Sequence, residues 1–167
     1  MKKLLLVLTV GLLAAFSANA QWYVGGSLSI QPGAATDKDG NDALGLEIAP
    51  EVGYILNDKM AIGATLSYDN TFFGGGSIFS IAPYFRYFLL EMGPVSLFVD
   101  GQLELDFANM GGESQTGFGV GVAPGLSIPL NDHLSFVGHF AQVGYFLGNF
   151  VCDVNPANVR MGLYYAF

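Results

Sequence analysis

Between Trp22 and Phe167 the apolar residues of this chain return at every second position, in segments of about ten residues divided by turn-forming ones. Beyond position 20 no apolar run approaches the ~20 residues that a membrane-spanning helix needs, because Gly, Ser, Asn or a charge interrupts every two or three positions. Period-two alternation places neighbouring side chains on opposite faces of a strand. Eight candidate strands follow: Trp22 to Ile30, Leu44 to Ile55, Met60 to Asp69, Ser77 to Leu89, Val95 to Asp106, Thr116 to Ile128, Leu134 to Phe146 and Asn158 to Phe167.

Their two faces differ in chemistry. In the second strand Leu44, Leu46, Ile48, Val52 and Tyr54 share one side, and Gly45, Glu47, Ala49, Glu51 and Gly53 share the other. In the fifth, Val95, Leu97, Val99, Leu103 and Leu105 oppose Ser96, Asp100, Gln102, Glu104 and Asp106. The chain is 51% hydrophobic and only 12% charged, where about 25% charged is usual for a soluble domain. Something other than water must therefore cover part of its surface. A soluble lipocalin-like ligand carrier is the rival, but its outer face would then be mostly Gly, Ala and Ser, and its interior would have to hold the bulky face. The pattern favours an all-β fold: an eight-stranded antiparallel up-and-down transmembrane barrel, apolar face toward lipid.

The connections alternate too. Leu56 to Lys59, Leu90 to Pro94 and Pro129 to His133 are short, whereas 31–43, 70–76, 107–115 and 147–157 are longer and rich in Gly, Asn and Asp. Eight strands with both termini periplasmic need three short periplasmic turns and four longer outer loops. An internal repeat supports the hairpins: Ala49-Pro50-Glu51-Val52 through Leu56-Asn57-Asp58 aligns without gaps on Ala123-Pro124-Gly125-Leu126 through Leu130-Asn131-Asp132, and Ala82-Pro83-Tyr84-Phe85 is a partial third copy. Repeats at this spacing also suit a solenoid, but the period-two pattern between them does not. A strand proline loses a ladder hydrogen bond, so bulges or broken pairing are expected at Pro50, Pro83 and Pro124.

Met1-Lys2-Lys3, the apolar stretch Leu4 to Phe16 and Ala18-Asn19-Ala20 have the form of a secretory leader, so residues 1–20 are expected to be cleaved and 21–167 to form one barrel domain. Without Lys2 and Lys3, four basic residues (Lys38, Lys59, Arg86, Arg160) face fourteen acidic ones, a net charge of −10. Nucleic acid is not a fitting partner for such a chain. The lone Cys152 cannot form an internal disulfide, and it has no activating base nearby in sequence.

The last ten residues, Asn158 to Phe167, resemble the C-terminal assembly signal of outer-membrane barrels. Arg160, Gly162, Tyr165 and Phe167 match its polar, glycine, aromatic and terminal aromatic positions. Pro50-Glu51-Val52-Gly53-Tyr54 followed by Asn57-Asp58-Lys59 is similar to the small outer-membrane β-barrel family of OmpX-like and OmpA-transmembrane-like proteins. That resemblance implies integral location in the outer membrane of a Gram-negative-type bacterium, contact with its lipid and lipopolysaccharide, and recognition by the barrel-assembly machinery through β-augmentation of the last strand.

Eight strands leave a lumen that side chains fill, so a general porin is disfavoured. Counting inward from the turns, Glu51, Arg86, Asp100 and Arg160 are expected in one layer, with Arg86 opposite Asp100 and with Glu47 and Glu104 one layer outward. Two arginines against four carboxylates call for pairing, protonation or a bound cation, and a structural salt-bridge plug is the favoured reading over a catalytic or transport site. No cofactor or metal is expected: Asp37-Lys38-Asp39-Gly40-Asn41-Asp42 lacks the Gly and Glu of a calcium loop and reads as a hairpin turn on Asp39-Gly40. An enzyme acting on lipid A, an acyl hydrolase or acyltransferase, is the alternative. Ser135, His139 and an acid such as Glu104 or Asp106 share the lumen side, but no local motif supports them and no catalytic residue is assigned. There remains a structural or surface-binding role, of the adhesion or defence type, for the outer loops. Phe72, Phe73, Asn109 and Met110 are their candidate contacts to an extracellular or envelope protein.

Overall fold

The computed structural model describes residues 22–36, 42–71, 76–110, 113–146, 148–154 and 159–167. The expected leader, the Asp37 to Asn41 part of the calcium-like segment, and Phe72 and Phe73 lie outside them. Ten strand segments make eight crossings. They are β1 (Trp22–Thr36), β2 (Asp42–Asn57), β3 (Met60–Thr71), β4 (Gly76–Met92), β5 (Val95–Met110) and β6 (Glu113–Pro129), then a seventh crossing of β7 (Leu134–His139) and β8 (Gln142–Phe146), and an eighth of β9 (Asn149–Asp153) and β10 (Arg160–Ala166). Each crossing pairs antiparallel with the next, and β10 returns to β1, so the sheet closes into an eight-stranded barrel.

Turn chemistry explains the hairpins at one end. In the two copies of the repeat, Asn57 Oδ1 accepts from the Lys59 amide at 2.9 Å, and Asn131 Oδ1 accepts from the His133 and Leu134 amides at 2.9 and 2.8 Å. Gly93 supplies the positive φ of 62° that the turn before Pro94 requires.

The three prolines behave as their missing donors dictate. Beside Pro50 the β2–β3 ladder skips from Ile48↔Tyr68 to Glu51↔Thr65, and beside Pro83 the β4–β5 ladder skips from Ile81↔Leu105 to Tyr84↔Gln102, with no change of register. At Pro124 the register does shift: Gly125 pairs with His139 on β7, but Val122, three residues back, pairs with Val143, four residues on. A one-residue bulge at Phe140 and Ala141 therefore divides the seventh crossing. In each repeat the alanine before the proline is buried in the lumen.

Outward positions carry aromatic residues at two levels. Near the turns, Trp22 packs edge-on against Tyr54 and Tyr165 against Phe167, with centroids 5.1 and 5.3 Å apart. Toward the other end, Phe79 stacks on Phe107 at 6.3 Å and is paired with Tyr68. Tyr87 and Phe79 stand eight residues apart on β4, which at ~3.3 Å per residue and a tilt near 40° is roughly 20 Å, close to the height of a lipid-facing band.

Strands run further than the alternation indicates, and the outer connections shrink to 37–41, 72–75, 111–112 and 147–148. Above the lipid band both faces of a strand meet polar surroundings, so backbone pairing continues after the polarity pattern has ended. Asn109 and Met110 consequently lie in β5, not in a loop, and the eighth crossing begins at Asn149 instead of Asn158. Cys152, expected in the last loop, sits in β9 opposite Val143 and is exposed.

Candidate functional site

Inward positions of the half nearest the short turns are not uniformly small. Tyr23, Tyr84, Phe98 and Tyr164 are buried there with Ala61 and Val137. Each of the four aromatics has a glycine directly across the ladder: Tyr23↔Gly53, Tyr84↔Gly63, Phe98↔Gly125 and Tyr164↔Gly25. A Cβ on any of these glycines would run into the facing ring. Large rings fit an eight-stranded barrel because the neighbouring strand offers a bare backbone to lie on.

Over these rings lies a layer of paired polar groups. Arg86 donates through Nε and Nη2 to both oxygens of Asp100, at 2.7 and 2.8 Å, and through Nη2 to Glu51 at 3.4 Å. Tyr84 and Tyr164 each donate a hydroxyl to Glu51, one to each oxygen, and Tyr23 donates to the Tyr84 hydroxyl. His139 Nε2 donates to Asp100 Oδ2 at 2.9 Å. The guanidinium carbon of Arg86 lies 4.1 Å from the Phe98 centroid, 5.0 Å from Tyr84 and 5.4 Å from Tyr164. Charge-assisted bonds and ring faces together replace the water that these buried ions lose. A cavity of about 100 Å³ lies below, among Ile55, Phe88, Val137 and Ala166.

Beyond this layer the lumen widens into a cavity of about 350 Å³ lined by Glu47, Asp69, Glu104, Asp106, Arg160 and neighbours. Pairing is looser here. Arg160 reaches Glu47 at 3.5 Å, and Ser80 donates to Asp106 at 2.6 Å. Among the described residues no group of three or more His, Cys, Asp or Glu side chains is arranged to hold a metal ion.

Residues 4–167 match the family described as outer membrane protein beta-barrel domain. The chain belongs to that family. No curated protein sequence matches it. Among solved structures it is similar to Neisserial surface protein A, with a TM-score of 0.65 and 21% identity over 87% of this chain and 97% of that one. It is also similar to a major outer membrane protein from Thermus thermophilus, with a TM-score of 0.57 and 15% identity over 89% of this chain and 99% of that one. At such identities the likeness concerns the fold. Membership of the outer membrane barrel family places the chain in the outer membrane, with Tyr68, Phe79, Phe85 and Tyr87 on its outward, exposed surface.

Of the lumen residues singled out in this outer membrane barrel, Glu51, Arg86 and Asp100 come together, while Arg160 does not join them. It is paired backbone to backbone with His139, but its side chain extends to Glu47 in the outer cavity. At the inner level Asp100 and Glu51 are already bonded to Arg86, His139, Tyr84 and Tyr164. Glu104 also lines the outer cavity. Sequence reasoning does not single out Tyr23, Tyr84, Phe98 or Tyr164, although Tyr84, Phe98 and Tyr164 have the parity of Arg86, Asp100 and Arg160 on their own strands. His139 is bonded to Asp100, and Ser135, four residues away on the same crossing, lies ~13 Å further toward the short turns. Those two do not form a nucleophile–base pair. At the C-terminus β10 is held between β1 and β7, and the Phe167 amide donates to the Trp22 carbonyl at 3.0 Å.

Proposed function

We propose that this outer membrane barrel is a closed structural scaffold with a surface-binding role, of adhesion or defence type, carried by its outer loops, and that it is neither a pore nor an enzyme. The observation that carries this reading is the continuous layer of Arg86, Asp100, Glu51, His139 and the three tyrosine hydroxyls, which spans the lumen with its polar atoms turned toward one another. Such a layer blocks the lumen at its level and keeps its own polar groups engaged with one another. Arg160, Gly162, Tyr165 and Phe167 then serve biogenesis, presenting the last strand to the barrel-assembly machinery after the leader is removed behind Ala20. Reconstitution into planar bilayers tests the closed lumen: the wild-type protein should show no steady conductance, and a stable open-pore current would overturn the reading. For the surface role, cells displaying the wild-type barrel should adhere to a host or envelope target more strongly than cells displaying a variant with 37–41 and 72–75 replaced by Gly-Ser. Equal adherence would remove the loops from the function.

A further inference from the structure

Beneath the paired layer the lumen is hollow. The cavity of about 100 Å³ there has Arg86 in its roof and Tyr23, Tyr164 and Phe88 in its walls. Its lower lining is Ile55, Ser135 and Ala166, which stand beside the two Asn-Asp turns and Phe167. The space therefore opens at the periplasmic mouth and ends blind at the layer.

Its walls are set by the barrel itself. Tyr23 and Tyr164 are stacked, with centroids 5.7 Å apart and planes 12° from parallel, and each lies on a cross-strand glycine, Gly53 or Gly25, that leaves no room for a side chain. Their hydroxyls are engaged in the layer above, so the cavity meets mainly ring carbon. Phe88 is held edge-on against Phe98 at 5.9 Å.

Size and polarity select the occupant. A dry apolar cavity of ~150 Å³ takes one benzene-sized ring, and water stays only where several polar partners converge. With its open mouth this cavity is of that order, too short for an acyl chain, and Ala61 and Val137 add more hydrocarbon to its lining. Charge argues against an ion. Arg86 repels a cation from below, and it is already bonded to both Asp100 and Glu51, which leaves no positive charge to hold an anion. The uncharged polar side chains that remain in the wall are Ser127 and Ser135, on the adjacent strands β6 and β7.

We propose that this cavity binds a small neutral phenol from the periplasm, its ring among Tyr23, Tyr164 and Phe88 and its hydroxyl on Ser127 or Ser135. Aromatic walls favour such a ring over a saturated one of the same size, because ring edges and faces attract one another beyond the area they bury. The site stands apart from the closed-lumen reading: a barrel that binds nothing here still has its plug, and the plug keeps the phenol from passing through.

The mature barrel in lipid nanodiscs, with its methyl groups carbon-13 labelled, is titrated with phenol, benzene, cyclohexanol or benzoate and followed by NMR. Phenol should shift the methyls of Ile55, Ala61 and Val137 along a saturating curve, while the outward methyls of Val24 and Ile62 move only in proportion to the phenol dissolved in the bilayer. Cyclohexanol should bind about fivefold and benzoate about tenfold more weakly. Replacing both serines, Ser127→Ala with Ser135→Ala, should weaken phenol about fivefold and leave benzene unchanged. Ala61→Leu fills the cavity and should abolish the saturating shifts at Ile55 and Val137. If that variant fails to give the heat-resistant folded band on a gel, Ala166→Leu at the mouth carries the comparison. Shifts at the cavity methyls that never saturate, saturation undiminished in the folded filled variant, phenol affinity untouched by loss of both serines, or cyclohexanol or benzoate binding as tightly as phenol overturns the proposal.

Discussion

Arg86 and Arg160 both point into the same lumen, yet Arg86 grips Asp100 through two bonds of 2.7 and 2.8 Å among three aromatic rings, whereas Arg160 reaches Glu47 at 3.5 Å beside an open cavity. The half nearest the short turns is filled by rings on glycines, and its two carboxylates are held by one guanidinium, two tyrosine hydroxyls and His139. The outer half has a register shift at Phe140, a looser contact between Arg160 and Glu47 and, among the described residues, a Ser29 hydroxyl without a hydrogen-bond partner. One half of the barrel is therefore the more tightly bonded of the two.

That contrast predicts unequal responses to similar changes. Arg86→Met strands Glu51 and Asp100 in a buried layer without their cation, and should cost about 3–5 kcal/mol in urea unfolding from lipid vesicles. A variant as stable as wild type would sink the idea that this layer holds the inner half. Gly63→Val forces side-chain carbons into the Tyr84 ring and should cost about 1–3 kcal/mol, with the loss read as a lowered unfolding midpoint in the same titration. Arg160→Met removes a long, partly exposed contact, and should change stability by less than about 1 kcal/mol. If it proved as damaging as Arg86→Met, the two halves would not differ as described.

Much of this barrel is legible in its sequence. Parity along each strand separates Glu47 and Glu51 from Ile48 and Val52, and the fifth strand sorts in the same way. The Ala-Pro repeats locate the interruptions at Pro50, Pro83 and Pro124, because a missing N–H removes a rung from any antiparallel ladder, though only at Pro124 does the register also shift. Counting about Gly93 sets Arg86 against Asp100, and that pairing holds because a bulge at Leu89 offsets the tighter turn in which Met92 faces Val95. The extent of the strands is less legible, since pairing outlasts the polarity contrast once both faces are polar. The inward tyrosines are hidden by the expectation that bulky residues face lipid. Their cross-strand glycines, read together with them, are the signal that finds them.

What the sequence by itself determined is therefore the local order: the strands, their faces, the turns and the contacts made within one hairpin. Tertiary closure decided the rest. Tyr164 meets Glu51 and Arg160 meets Glu47, each pair 113 residues apart, and His139 meets Asp100 from 39 residues away. Which levels face one another across a lumen depends on strand tilt and on the stagger with which the last strand joins the first, and these belong to the closed sheet as a whole. Alternation says that a residue points inward; only the stagger of the closed barrel says whom it meets there.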